Sequence, residues 1–371
     1  MSYIPVNEPD LSGNEKRYLA ECIDTGWISS EGPFVGRLEA GVSAKLGRAY
    51  GVAVCNGSVA LDIALAALGL GNGDEVIMPA FTIISCAAAV VRCGAVPVLV
   101  DCDPTTWNMR VDQVEALITP RTKALMVVHL YGLPVDMEPL LKIAAEHGLR
   151  VIEDAAESIG QTYYDKPCGS FGDISTVSFY PNKHVTTGEG GMVFTDDEVL
   201  ARRCRELRNL CFGQRWRFRH EALGWNFRMS NLQAAVGVAQ LERLDATLRR
   251  KREIGAVYQE ELAGVEGLQL AAPVGPGAEN VYWVFGVVLG VEVPFDAELA
   301  MKHLHQLGVG SRPFFWPMHR QPVFERMGLF GGVTCPVAER IGERGFYLPS
   351  GAALTDAQAK RSAAALREIL A

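Results

Sequence analysis

The stretch from Ser178 to Gly191, SFYPNKHVTTGEGG, sets one lysine between an apolar strand pattern and a polar, glycine-rich turn. Lys183 has no acidic neighbour close in sequence. A lysine desolvated in such a place has a lowered pKa and can form a Schiff base with a carbonyl. A lysine at an exposed loop tip does neither, and exposure is that residue's usual fate. Asp154 closes the apolar run LRVIED, and a carboxylate at the carboxyl end of a strand faces the usual ligand crevice. It could hold a ligand's ring nitrogen protonated through a charge-assisted bond, or cap a helix over AAESIG. Asn56-Gly57-Ser58 stands between a strand pattern and an apolar helix pattern. Backbone N–H groups at a helix start, with a small hydroxyl, form an anion site; Ser and Asn also serve as plain caps. Phe81, in MPAFT, lies just past another strand. It could stack on a planar ligand or pack into the core, and Phe179 and Tyr180 carry the same two readings.

The histidines form no HxxxH or HExxH pair, so no metal site is indicated. His129 ends a strand before LYG and is placed to line the cleft. His184 follows the lysine directly. Arg312 and His319 lie in SRPFFWPMHRQPVF, which reads as a rigid loop holding polar groups against a ligand, or as interdomain packing. There is no GxxxxGK[ST] loop and no GxGxxG fingerprint.

Alternating elements must position these residues. Helices are expected over 12–30 and 34–46, then the strand YGVAVCN and the helix GSVALDIALAALGL, stopped by GNGD. EVIMPA, VPVLVDCD, TKALMVVHLYG and RVIEDAA read as strands; TIISCAAAVVRCG, RVDQVEALIT and MEPLLKIAAEHG read as helices between them. This alternation is the mark of a mostly parallel sheet covered on both faces. ISTVSFYPN and GGMVFTDD add two strands, and DEVLARRCRELRNL a helix. Residues 212–231 are irregular, aromatic and basic, a length that implies function or a subunit interface. NLQAAVGVAQLERLDATLRRKREIGAVYQEEL is one long helix or two joined. A change to charged composition near Asp245 sets the domain boundary: a large domain over 1–245 and a small α+β domain over 246–371.

With 371 residues, 49% of them apolar and 21% charged, the chain can bury a sizeable core. Its net charge of -8 argues against a nucleic-acid binder. No apolar run is long enough to span a bilayer and no signal-peptide pattern opens the chain, so a cytoplasmic location is expected. Nine cysteines at irregular spacing, without a CxxC pair, read as reduced core residues.

In combination, NGSVALDIAL, GDEVIMPAFT, PVLVDCDPTTWNM, VHLYG, VIEDAAESIG, SFYPNKHVTTGEGG and GWNFRMSNLQAAVGVAQLERL resemble the DegT/DnrJ/EryC1/StrS family of sugar-nucleotide aminotransferases. The resemblance implies fold type I of the pyridoxal 5'-phosphate enzymes, with the cofactor passing through its pyridoxamine 5'-phosphate form. Lys183 corresponds to the family's Schiff-base lysine and Asp154 to the carboxylate on the pyridine nitrogen. Glu157 corresponds to the residue near the 3-hydroxyl, and Phe81 to the one that stacks on the ring. Gly57, Ser58 and Ser178 match the phosphate cup. Asn226 matches an asparagine that reaches the phosphate from the neighbouring subunit, which implies a homodimer with shared active sites. His184, Arg312 and His319 are the expected substrate contacts, and His184 departs from the small or apolar residue common in relatives. Relatives with histidine in place of the lysine remove a hydroxyl; the lysine is present here, so amino transfer from L-glutamate is expected. TPRTKALMVVHLYG and WNFRM most resemble members that aminate C4 of GDP-4-keto-6-deoxy-D-mannose, for O-antigen or another surface polysaccharide. A dTDP- or UDP-linked ketosugar, or a non-catalytic regulatory homologue, remains an alternative.

Overall fold

The computed structural model describes residues 3–213 and 215–371. Seven strands build the central sheet in the order Tyr50–Val54, Gly191–Thr195, Ile174–Ser178, Arg150–Asp154, Thr122–Val128, Glu75–Pro79, Val96–Val100. Neighbours run parallel except at Gly191–Thr195, which is antiparallel to both strands beside it. Strand residues alternate between faces. Val52, Val54 and Val193 join the core beneath the helices Gly57–Ala67 and Ile84–Arg92. Ala53, Met192 and Phe194 pack against Glu15–Thr25, Pro33–Leu46 and Asn231–Leu241 on the other side. Burial on both faces explains why these strands read as nearly continuous apolar runs.

The helices end where the sequence supplies a stop. Met137–His147 closes on Gly148, whose φ of 62° turns the chain into the strand that carries Asp154. Ser230 and Gln233 form a capping box at the start of Asn231–Leu241. The 231–262 stretch is two helices, Asn231–Leu241 and Leu244–Glu261. The domain boundary proposed between residues 245 and 246 falls in the first turn of the second. RVDQVEALIT departs from expectation and forms two 3-10 turns, Val111–Gln113 and Glu115–Leu117. Two β-branched valines and the Thr119-Pro120 stop leave too little chain to nucleate an α-helix.

A second, antiparallel sheet follows in the order Leu268–Leu270, Phe285–Leu289, Gly345–Leu348, Arg312–Pro313, with Ala297–Gln306 packed on it and Asp356–Leu370 packed against that helix and Leu244–Glu261. It is fastened to the large sheet: Met318 N–H donates to the Ala80 carbonyl (2.8 Å), and the Trp283 indole N–H to the Asn182 carbonyl (2.8 Å). All nine cysteines are unpaired, and seven are buried. Among the described residues no helix is long and apolar enough to cross a membrane.

Candidate active site

The carboxyl ends of the parallel strands open on a cavity of about 670 Å³. Gly57, Ser58, Asp154, Glu157, Ser178, Lys183 and Arg312 all line it, although they span more than two-thirds of the chain. The strand ends set their places, as expected for an open α/β sheet.

At one end lies the start of the helix Gly57–Ala67. The first N–H groups of a helix have no partner within it. Asn56 Oδ1 accepts from Val59 N–H (3.0 Å), which leaves those of Gly57 and Ser58 facing the cavity. The Ser58 and Ser85 hydroxyls are 2.7 Å apart. A Cβ on Gly57 would lie 2.7 Å from Ser178 Cβ, so only glycine lets the strand end and the helix start approach this closely.

In the middle, Asp154 is 2% exposed. Its Oδ1 accepts from Ala156 N–H (3.0 Å), closing a turn, since no helix forms over AAESIG. Cys86 donates to Oδ2 at 3.4 Å, a weak partner for a buried carboxylate. Burial pushes the Asp154 pKa up, opposed by the Ala156 N–H and by Lys183. Such a group is best satisfied by a cationic N–H.

Lys183 Nζ lies 3.6 Å from Glu157 Oε1 and 3.6 Å from the centroid of the Trp283 ring. Glu157 Oε2 accepts from Tyr131 N–H (2.9 Å). That N–H is aimed by a left-handed backbone, φ 53° at a buried tyrosine, a strained choice at the site. Burial lowers the Lys183 pKa and pushes Glu157 up to about 7. The acid and the amine thus approach one another, the arrangement a proton-transfer site needs.

Other expected residues sit elsewhere. Phe81 is 1% exposed and packs on Tyr131, Phe314 and Phe315, so it does not face the cavity as a stacking residue would. Two residues on, Ile83 lines the cavity in its stead. His184 is buried and points away from the cavity. Its Nδ1–H donates to the Ile159 carbonyl (3.1 Å), Nε2 has no partner, and burial with Lys251 nearby lowers its pKa to about 3. His319 is also buried and outside the cavity; its Nε2 bonds Glu339 (2.8 Å) and ties two small-domain segments together. Neither histidine lines this cavity. His129 is buried too: Nδ1 accepts from Val135 N–H (3.1 Å), so Nε2–H donates to Glu153 (2.8 Å). Asn226 is exposed on the 212–231 segment and does not line its own chain's cavity. Sequence reasoning missed Ile83 and Ser85, whose place just past the strand Glu75–Pro79 was an available signal. It also missed Trp283 and Tyr347, which arrive from the small domain with no local signal.

The model of the DegT/DnrJ/EryC1/StrS aminotransferase family matches residues 9–367. The GDP-perosamine synthase of Caulobacter vibrioides is 44% identical over 367 residues, covering 99% of this chain and 98% of that protein. The GDP-perosamine synthase of Vibrio cholerae is 40% identical over 357 residues, with 96% of each covered. Among solved structures, the aminotransferase TlmJ from Streptoalloteichus hindustanus superposes with a TM-score of 0.92 at 31% identity, over 99% of this chain and 98% of that one.

Proposed function

The chain belongs to the DegT/DnrJ/EryC1/StrS aminotransferase family, and from that premise we propose that it makes GDP-perosamine. It transfers the amino group of L-glutamate to C4 of GDP-4-keto-6-deoxy-D-mannose, with pyridoxal 5'-phosphate as cofactor and 2-oxoglutarate as the second product. The near-identical span of the relatives named for that activity supports the sugar. The observation that carries the chemistry is one cavity holding a desolvated lysine, a buried carboxylate with an under-used oxygen and an open helix start.

The residues fit the cofactor. The N–H groups of Gly57 and Ser58, with the hydroxyls of Ser58, Ser85 and Ser178, bind a phosphate at the helix start. Asp154 would hold the proton of a ring nitrogen through a charge-assisted bond, and Ile83, which lines the cavity, would meet the ring where Phe81 was expected. When bound, the cofactor supplies an aldehyde carbon for the amine and a protonated ring that accepts an electron pair. Lys183 would hold the cofactor through Nζ, and the same amine, when free, would take up the proton lost from the donor's Cα. Glu157, 3.6 Å away, is the carboxyl that faces that amine. Arg312 lines the cavity beside the Tyr347 hydroxyl and takes the donor's carboxylate.

We also propose a homodimer whose partner subunit brings Asn226 to the phosphate. The groove lined by Trp27, Ile28, Phe212 and Met229 supports it, together with Trp216, Phe218 and Leu223, which are 60%, 80% and 93% exposed on the same segment.

The visible absorption of the cofactor-loaded enzyme tests the reaction. L-Glutamate should bleach the band of the lysine-bound cofactor, and GDP-4-keto-6-deoxymannose should restore it; Lys183→Ala should bind the cofactor and complete no turnover. Restoration by a dTDP- or UDP-linked ketosugar instead would keep the aminotransferase and discard this sugar. No change with glutamate, or a normal rate in Lys183→Ala, would overturn the mechanism.

A further inference from the structure

Trp283 comes from the small domain, a hundred residues after the lysine it touches. Lys183 Nζ stands over the indole at 3.6 Å from the ring centroid, well inside cation–π range. The same indole N–H donates to the carbonyl of Asn182, the residue just before the lysine, at 2.8 Å. The Trp283 carbonyl accepts from Lys251 Nζ at 2.8 Å, and Lys251 also bonds the Ser350 carbonyl. The Tyr131 ring lies 5.8 Å away at 32°, and the Tyr347 ring 6.5 Å away at 43°. The ring plane is therefore held from several directions, by elements of both domains.

We propose that Trp283 is a positioning residue for Lys183: its indole face is the seat of the lysine ammonium whenever Nζ is not bonded to the cofactor. The geometry stands by itself; its place in the cycle rests on the amino-transfer reading above. A buried ammonium needs compensation for lost water. Glu157 at 3.6 Å is an ion-pair partner beyond hydrogen-bond length, so it compensates in part. The indole quadrupole supplies attraction without accepting the proton. That distinction suits a shuttle: an N–H bond forms as the donor's Cα–H bond breaks, and the same N–H bond breaks when the proton moves on. A carboxylate hydrogen-bonded to Nζ could keep the proton; a ring face cannot. Asp154, Glu157, Cys86, His184 and Lys251 are the titratable groups that also act on Nζ or sit beside it, and each remains in the variants below.

Three full-length proteins without cofactor decide the matter: wild type, Trp283→Phe and Trp283→Leu, each with ¹³C-labelled lysine side chains. NMR titration reads the Lys183 pKa, assigned by the resonance lost in Lys183→Ala. Both variants lose the bond to Asn182, so the difference between them reads the ring face alone. The expected order is wild type highest, Phe intermediate and Leu lowest, with Leu lower than wild type by about one pH unit. In the loaded enzyme, Trp283→Leu should lower kcat by about tenfold with KM for both substrates within about twofold. Equal pKa values in all three, or an equal fall in Phe and Leu, would overturn the proposal. If the Leu variant does not fold, Trp283→Met, which also lacks both the ring and the bond to Asn182, takes its place against Phe under the same rule. A graded pKa in an enzyme that never bleaches with glutamate would leave the seat intact and sink the amino-transfer reading instead.

Discussion

Lys183 and Glu157 form the chemical centre because burial acts on them in opposite senses. The lysine is pushed down and the glutamic acid up to about 7, so their proton affinities lie closer together than in water. The strained backbone at Tyr131 is the structure's investment in that pair, since it aims the one backbone N–H bonded to Glu157 Oε2. At this scale Arg312 carries a separable prediction. It is exposed, lines the cavity from the small domain and sits beside Tyr347. Arg312→Ala should raise the apparent Kd for L-glutamate in the first half-reaction by about 10- to 100-fold, the worth of a lost charge-assisted bond. The half-reaction with the nucleotide sugar should change by less than about threefold. Stopped-flow spectra of each half-reaction separate the two, and a defect confined to the sugar step would reassign Arg312 to the diphosphate.

At the scale of elements, the segment after Lys183 folds inward. His184 follows the lysine at the strand-end turn, and its ring is carried behind the cavity to the Ile159 carbonyl. Its neutral form is the one the fold accepts: the native pKa is about 3 against an ordinary 6.5. Below 6.5 the unfolded chain binds a proton that the native chain refuses. The stability this group contributes is therefore complete above 6.5 and lost as pH falls toward 3, at a slope approaching about 1.4 kcal/mol per pH unit. His184→Gln should flatten that slope. Urea midpoints measured across the window would test it; parallel slopes in the two proteins would mean His184 protonates without resistance. The turn also decides between Phe81 and Ile83. The chain leaves the strand Glu75–Pro79 and reaches the helix Ile84–Arg92 within four residues, and the aromatic ring goes to the core while the aliphatic one meets the cavity.

At the scale of the whole molecule, the cavity has walls from both sheets, and the proposed homodimer would complete it from a second copy. The 212–231 segment holds exposed Trp216, Phe218 and Leu223, a costly display for a monomer. A mixture of Lys183→Ala and Asn226→Ala subunits tests the sharing directly. If Asn226 serves the partner's site, a hybrid dimer carries one doubly defective site and one intact site, so activity should reappear on mixing. It should approach about a quarter of the wild-type rate when statistical exchange makes half of the dimers hybrid. Sedimentation should show a dimer in each case. No recovery from exchanged hybrids would place Asn226 in its own chain's site.

The sequence by itself determined the alternating elements, the parallel sheet and the strand-end positions of Asp154, Ser58 and Lys183. Those features are local: periodicity marks the strand, and the residue after it lands at the sheet's carboxyl edge. The family pattern added Glu157, whose partner lies 26 positions away and leaves no trace in spacing. Only the tertiary structure decided which way side chains near the turns face. Two residues along one turn exchange core for cavity, as Phe81 and Ile83 show, and another turn carried His184 inward from beside the lysine. Tertiary structure also brought Trp283 over the lysine and Tyr347 into its cavity, because packing of the second sheet on the first is a contact between distant segments that no local pattern encodes.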